Sequence, residues 1–109
     1  MTAAGDDPRA MAIRAALRDV LDPELGENLV DLGMIYAVDV DARGAARIVM
    51  TTTTPGCPAA EMLREGVAVR AAAVPGIETA EVTLTFDPPW GPGRISAGIR
   101  HRLGFAAVQ

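Results

Sequence analysis

Hydrophobic positions along the chain follow two alternating spacings, and proline and glycine mark the boundaries between them. Ile13, Ala16, Leu17, Val20 and Leu21 recur at helical spacing behind Asp7, a capping residue, and Pro8, which suits a first helical turn. This predicts a helix that buries one face and stops at Asp22, because Pro23 pushes the residue before it out of helical geometry. From Met34 the period falls to two. Met34, Tyr36, Val38 and Val40 alternate with Ile35, Ala37 and Asp39, which reads as a strand with its first set buried. Asp41-Ala42-Arg43-Gly44 is a turn, and the β-branched run 47–53 is expected as the antiparallel partner in a hairpin.

A second helix is expected over 58–74, with Met62, Leu63, Val67 and Val74 toward the core, Glu61 and Glu65 on a wet face, and Pro75-Gly76 ending it. Ala80, Val82, Leu84 and Phe86 then alternate with Thr79, Glu81, Thr83 and Thr85, a strand covered on one face. Asp87-Pro88-Pro89-Trp90-Gly91-Pro92-Gly93 is too rich in proline and glycine for a regular element. Ile95, Ile99 and Leu103 form the stripe of a last short helix, with Ser96 to cap it and Gly104 to stop it. With residues 1–6 as a tail, the order α-β-β-α-β-α predicts a single α+β domain over 1–109. Its sheet is expected to be small and mostly antiparallel, with helices packed on one face.

Composition narrows the picture. Half of the 109 residues are hydrophobic but only four are aromatic, so one mainly aliphatic core is expected. A net charge of -4 argues against nucleic-acid binding, which needs a basic face, and the short cluster Arg100-His101-Arg102 suits the C-terminal end of a helix dipole instead. No apolar run nears the roughly 20 residues that span a bilayer, so no membrane role is expected. The acidic start lacks the features of a leader peptide, which points to the cytoplasm. A single cysteine cannot form an internal disulfide.

That cysteine, Cys57, follows the threonine run 51–54 and Pro55-Gly56, where a strand turns into a helix. Thr54 closes the run. Unpaired N–H groups at a helix start would favour a thiolate at Cys57, the form that binds metals or attacks electrophiles, although a free cysteine also serves as a small buried hydrophobe. Asp22, Glu24 and Asp31 form a carboxylate-rich stretch whose oxygens could ligate iron or, equally, cap turns and face solvent. Trp90 reads as a packing anchor before a ligand platform, and Tyr36 and Arg70 as structural. His101 lacks an orienting partner that would make it a base for Cys57, and no phosphate-binding glycine motif is present.

Taken in order, Asp22-Pro23-Glu24-Leu25, the run 28–36, the run 50–58 with its cysteine, Pro75-Gly76, Pro89-Trp90 and the stretch 95–104 resemble the SufT/PaaD-like family of iron–sulfur cluster assembly factors. The resemblance covers about residues 13–104. It implies a cytoplasmic accessory factor, not an enzyme, that helps mature clusters or deliver them to client apoproteins alongside the assembly machinery. It also implies that Cys57 is the reactive cysteine and that Asp22 and Glu24 form the acidic motif. PaaD-type members carry a cysteine-rich C-terminal extension, absent from this sequence, so the short, stand-alone branch is expected. A cluster takes about four protein ligands and this chain offers one thiolate. Iron or a cluster would therefore be held transiently and shared with a second subunit in a homo-oligomer, a client, a scaffold or a small thiol. The other reading of the resemblance is a metal-free adaptor that recognises client proteins, and a thiol-dependent enzyme ranks last because no partner base is visible.

Overall fold

Asp7 opens the first helix as expected: its backbone is extended (φ -63°, ψ 126°), its carboxylate accepts the Arg9 N–H at 2.8 Å, and Pro8 fills the first helical position. The computed structural model describes residues 7–53, 56 and 58–98. Helix α1 (Pro8–Leu17) buries Ala10, Ile13 and Leu17 on one stripe. It ends earlier than proline placement alone suggests. The N–H groups of Arg18, Asp19 and Val20 reach back only three residues, to Ala15, Ala16 and Leu17, and this tightened turn leads the chain off the helix axis. Val20 stays buried, but Leu21, expected on the buried face, is 56% exposed and forms an isolated bridge with Asn28.

Strand β1 (Ile35–Val40) pairs antiparallel with β2 (Ala45–Met50) across the Asp41–Gly44 turn. The register runs from Val40↔Ala46 to Ala37↔Val49, then slips so that Ile35 faces Met50, which leaves Tyr36 as the extra residue of a bulge. The bulge corrects the expected alternation: Ile35 and Val38 are buried, whereas Tyr36 and Val40 are half-buried. Strand β2 stops at Met50, three residues short of the expected end. Thr51 and Thr52 lie beyond it, almost wholly buried.

Helix α2 (Ala60–Ala72) is narrower than the stretch 58–74. Pro58 and Ala59 form a turn ahead of it, with Ala59 at the N-cap. Its buried stripe is Ala60, Leu63, Val67 and Ala71, which rotates Met62 out to 59% exposure and corrects its placement in the core. The helix carries the chain back along the sheet, so β3 (Thr79–Leu84) pairs with β2 in parallel, in unbroken register from Ala45↔Thr79 to Met50↔Leu84. The three-stranded sheet, ordered β1-β2-β3, is mixed, with one antiparallel and one parallel pair. Phe86 lies past the end of β3.

The core is aliphatic as composition implied. Ile13 and Leu17, the loop residues Leu29 and Leu32, Met34, Ile48 and Met50 from the hairpin, and Val67 from α2 are all essentially inaccessible. Burying each such side chain contributes roughly 1.5–3 kcal/mol. The proline-rich crossover ends in a 3-10 turn, Pro92–Arg94, and Ile95 drops into the core. Ala97 and Gly98 have helical geometry. Ile99, His101, Leu103 and Gly104, expected in the last helix, lie outside the described residues.

Candidate functional site

Three segments converge at one end of the sheet, where β1 begins and β2 and β3 leave. The first is the loop from Asn28 to Met34. Its Asn28 Oδ1 accepts the Asp31 N–H at 2.9 Å, and its Nδ2 donates to Asp31 Oδ2 at 2.9 Å. Arg18 adds a 3.1 Å ion pair to the other carboxylate oxygen of Asp31. A residue with a short polar side chain can close such a turn by itself; here two of them close it on each other. The loop then passes Gly33 at φ +73°, where a Cβ would overlap the backbone of Arg94.

The second segment leaves β2. The Thr51 N–H donates to the Met34 carbonyl at 2.9 Å, which ties the buried threonines to the base of the first loop. Gly56 has φ +82°, and Ala59 provides no side-chain bond for the exposed amides of the first turn of α2. Thr54 and Cys57 belong to this segment but lie outside the described residues. Because α2 starts at Ala60, Cys57 stands two positions before the N-cap in sequence, not at the cap itself.

The third segment is the crossover after β3, bound by two contacts to the first segment and by two to Tyr36 of β1. Trp90 Nε1 donates to the Leu32 carbonyl at 2.7 Å, and the Ser96 N–H donates to the Asp31 carbonyl at 2.8 Å. The Tyr36 hydroxyl donates to the Pro88 carbonyl at 2.8 Å, and the Arg94 guanidinium sits 4.6 Å above the Tyr36 ring. Trp90 is therefore a half-buried anchor, and Tyr36 has a structural role that the bulge makes available.

The acidic residues separate into different environments. Asp22 is only 3% exposed, and its Oδ1 accepts the N–H groups of Glu24 at 2.6 Å and Leu25 at 3.1 Å. Its backbone holds the same turn, through the Gly26 N–H on the Asp22 carbonyl and the Asp22 N–H on the Glu27 carbonyl. Glu24 is exposed at the tip of that turn. Asp31 stands in the neighbouring loop with its carboxylate engaged by Arg18 and Asn28. Sequence reasoning named Asp31 but not Asn28, although their three-residue spacing is the available signal for the reciprocal turn. Among the described residues, no group of three or more His, Cys, Asp or Glu side chains is arranged to hold a metal ion. No described helix is long and apolar enough to cross a membrane.

Comparison with known proteins agrees with this architecture and with the motif order. The Fe-S protein maturation auxiliary factor of Porphyromonas gingivalis is 43% identical over 89 residues, covering 82% of this chain and 85% of that one. The Fe-S protein maturation auxiliary factor YitW of Bacillus subtilis is 39% identical, covering 84% of this chain and 90% of its own length. The crystal structure of a domain of unknown function, DUF59, from Bacillus anthracis superposes with a TM-score of 0.84 at 36% identity, covering 88% of this chain and 92% of that chain. The family model described as "Iron-sulfur cluster assembly protein" matches residues 11–84, from the body of α1 to the last residue of β3. Because that match takes in the acidic turn, the threonine run and Cys57 in one continuous span, the chain belongs to the iron–sulfur cluster assembly protein family.

Proposed function

We propose that this protein is an accessory factor in iron–sulfur cluster maturation, and that it handles iron or a cluster as transient cargo through Cys57 rather than as a resident cofactor. The observation that carries the reading is the family match across the β2–α2 junction, where the only cysteine of the chain follows two buried threonines and precedes a helix start without a side-chain cap. The names of the relatives, maturation auxiliary factors and, in Synechocystis, an iron-sulfur cluster carrier protein 38% identical over 78 residues, support it. This chain spans 22% of that carrier's length, so the comparison concerns one domain of it.

One thiolate does not complete a cluster site, so the remaining ligands come from a client apoprotein, the assembly machinery or a second copy. The protein acts in the cytoplasm without catalytic turnover. Asp22 shapes the acidic turn through its bonds to the Glu24 and Leu25 amides, and exposed Glu24 is the carboxylate of the acidic motif left open to meet incoming iron. The test is anaerobic reconstitution with iron and sulfide, read by cluster absorbance, alongside complementation of a deletion strain. Cluster absorbance that disappears in Cys57→Ala supports the carrier role; full restoration of iron–sulfur enzyme maturation by that variant refutes it.

A second reading, a metal-free adaptor for client proteins, draws on the engagement of the Asp22 and Asp31 carboxylates in internal hydrogen bonds. It predicts client binding that is intact in Cys57→Ala, with no cluster formed by either protein.

A further inference from the structure

The two edges of the sheet differ in how they are protected. The outer edge at β1 is interrupted by the Tyr36 bulge and carries Asp39. The outer edge at β3 has no bulge and no proline, and its single charge is Glu81. Natural sheets blunt exposed edges with such devices, and a regular edge without them is a template for another strand.

The direction of the β3 peptide groups follows from two bonds. Thr79 and Thr85 donate their N–H groups to Gly44 and Met50, on the β2 side. Backbone groups alternate along a strand, so the N–H and C=O groups of Thr79, Glu81, Thr83 and Thr85 face β2. Those of Ala80, Val82 and Leu84 face outward, and among the described residues no backbone bond is made to them.

We infer that β3 pairs antiparallel with β3 of a second copy, across a two-fold axis at Val82. In this register Val82 faces Val82, and Ala80 faces Leu84, on both sides of the axis. Each pair presents outward-facing groups to outward-facing groups and exchanges both of its hydrogen bonds. Glu81 then lies opposite Thr83 of the second copy. Shifting the axis to Glu81 would set the two Glu81 carboxylates against each other, a repulsive arrangement that the Val82 register avoids. The apolar residues Ala80, Val82 and Leu84 fall on the helix-covered face of both sheets, which makes one continuous covered sheet. The occupant favoured is a second copy because the strand matches itself in hydrogen bonding, charge and covered face at once.

This inference is independent of the cargo role of Cys57, and its test does not involve metal. Sedimentation equilibrium of the full chain should show a monomer–dimer equilibrium. Thr83 is exposed on the open face, so changing its charge leaves the fold intact, which a thermal melt checks. Thr83→Glu places a carboxylate opposite Glu81 twice across the axis and should weaken the dimer about five- to tenfold. Thr83→Lys should tighten it by a similar factor. Opposite shifts support the pairing. A monomer at every concentration overturns it, as does a dimer constant that does not move in opposite directions with the two variants.

Discussion

The Trp90 indole N–H donates to the Leu32 carbonyl across 2.7 Å, joining the proline-rich crossover to the loop ahead of β1. Trp90→Phe preserves part of the packing and leaves the carbonyl without this donor. Unfolding free energy in urea is expected to fall by about 1–3 kcal/mol, with faster amide exchange appearing first over residues 85–96. An unchanged denaturation midpoint would show that the crossover is held by its other contacts.

Asp22 and Glu24 sit two residues apart and should respond differently. Asp22→Ala strands the Glu24 and Leu25 amides and should cost about 1–3 kcal/mol, while Asp22→Asn keeps an acceptor at Oδ1 and should cost less. Glu24→Gln should stay within about 0.5 kcal/mol of the parent, as for most exposed positions. Measuring anaerobic iron uptake on the same proteins separates folding from cargo. If Glu24→Gln folds normally and takes up iron as the parent does, the carboxylate of Glu24 has no part in cargo handling.

Gly33 and Gly26 share nearly the same backbone angle, φ +73° and +72°, but not the same surroundings. A Cβ at Gly26 meets nothing within 4 Å, so Gly26→Ala should cost only the conformational penalty, about 1–2 kcal/mol. At Gly33 the added carbon would meet Arg94 Cβ at 2.6 Å as well as its carbonyl group. Gly33→Ala should therefore lose clearly more stability than Gly26→Ala in parallel thermal melts. Equal losses would show that the Arg94 segment moves aside without cost.

Two surface carboxylates give an acid-side dependence. Hydrogen bonding to the Arg9 side chain, then to its backbone N–H, lowers the Asp7 pKa, and the backbone N–H groups of Ala45 and Arg43 lower that of Asp41. A carboxyl group whose folded pKa lies below its unfolded value contributes stability above the unfolded pKa. That contribution is lost as pH falls through the folded pKa. Asp7→Asn and Asp41→Asn should each flatten the decline of the melting temperature on the acid side of the ordinary carboxylate pKa, and leave its slope near neutrality unchanged.

The α+β class and the first five elements in order were legible because each segment is dominated by one period and proline or glycine marks the breaks between segments. What escaped was set by partners distant in sequence or by side chains too small to signal. The Tyr36 bulge is secured by a hydroxyl bond to Pro88, 52 residues away, so no local pattern announces it. Alanines 60 and 71 fix the rotation of α2 by being buried, and their weak hydrophobic signal allowed Met62 to be placed inward. The parallel pairing of β3 depends on the helix crossing that precedes it, not on the strand's own residues. In the candidate site, Trp90 as an anchor was readable from its side chain alone. The different environments of Asp22 and Glu24 were not, because both look like acidic loop residues until backbone bonds distinguish them.

The loop from Asn28 to Met34 also has a consequence for the order in which the molecule can be made. Its carbonyl groups accept from Thr51, Trp90 and Ser96, and the Trp90 bond spans 58 residues. As the chain leaves the ribosome, α1 and the hairpin can meet while two of those donors are still unsynthesised. The sheet end at this loop therefore closes last, and a nascent chain halted before Trp90 would expose the loop to chaperones or proteases although most of the core residues are already present.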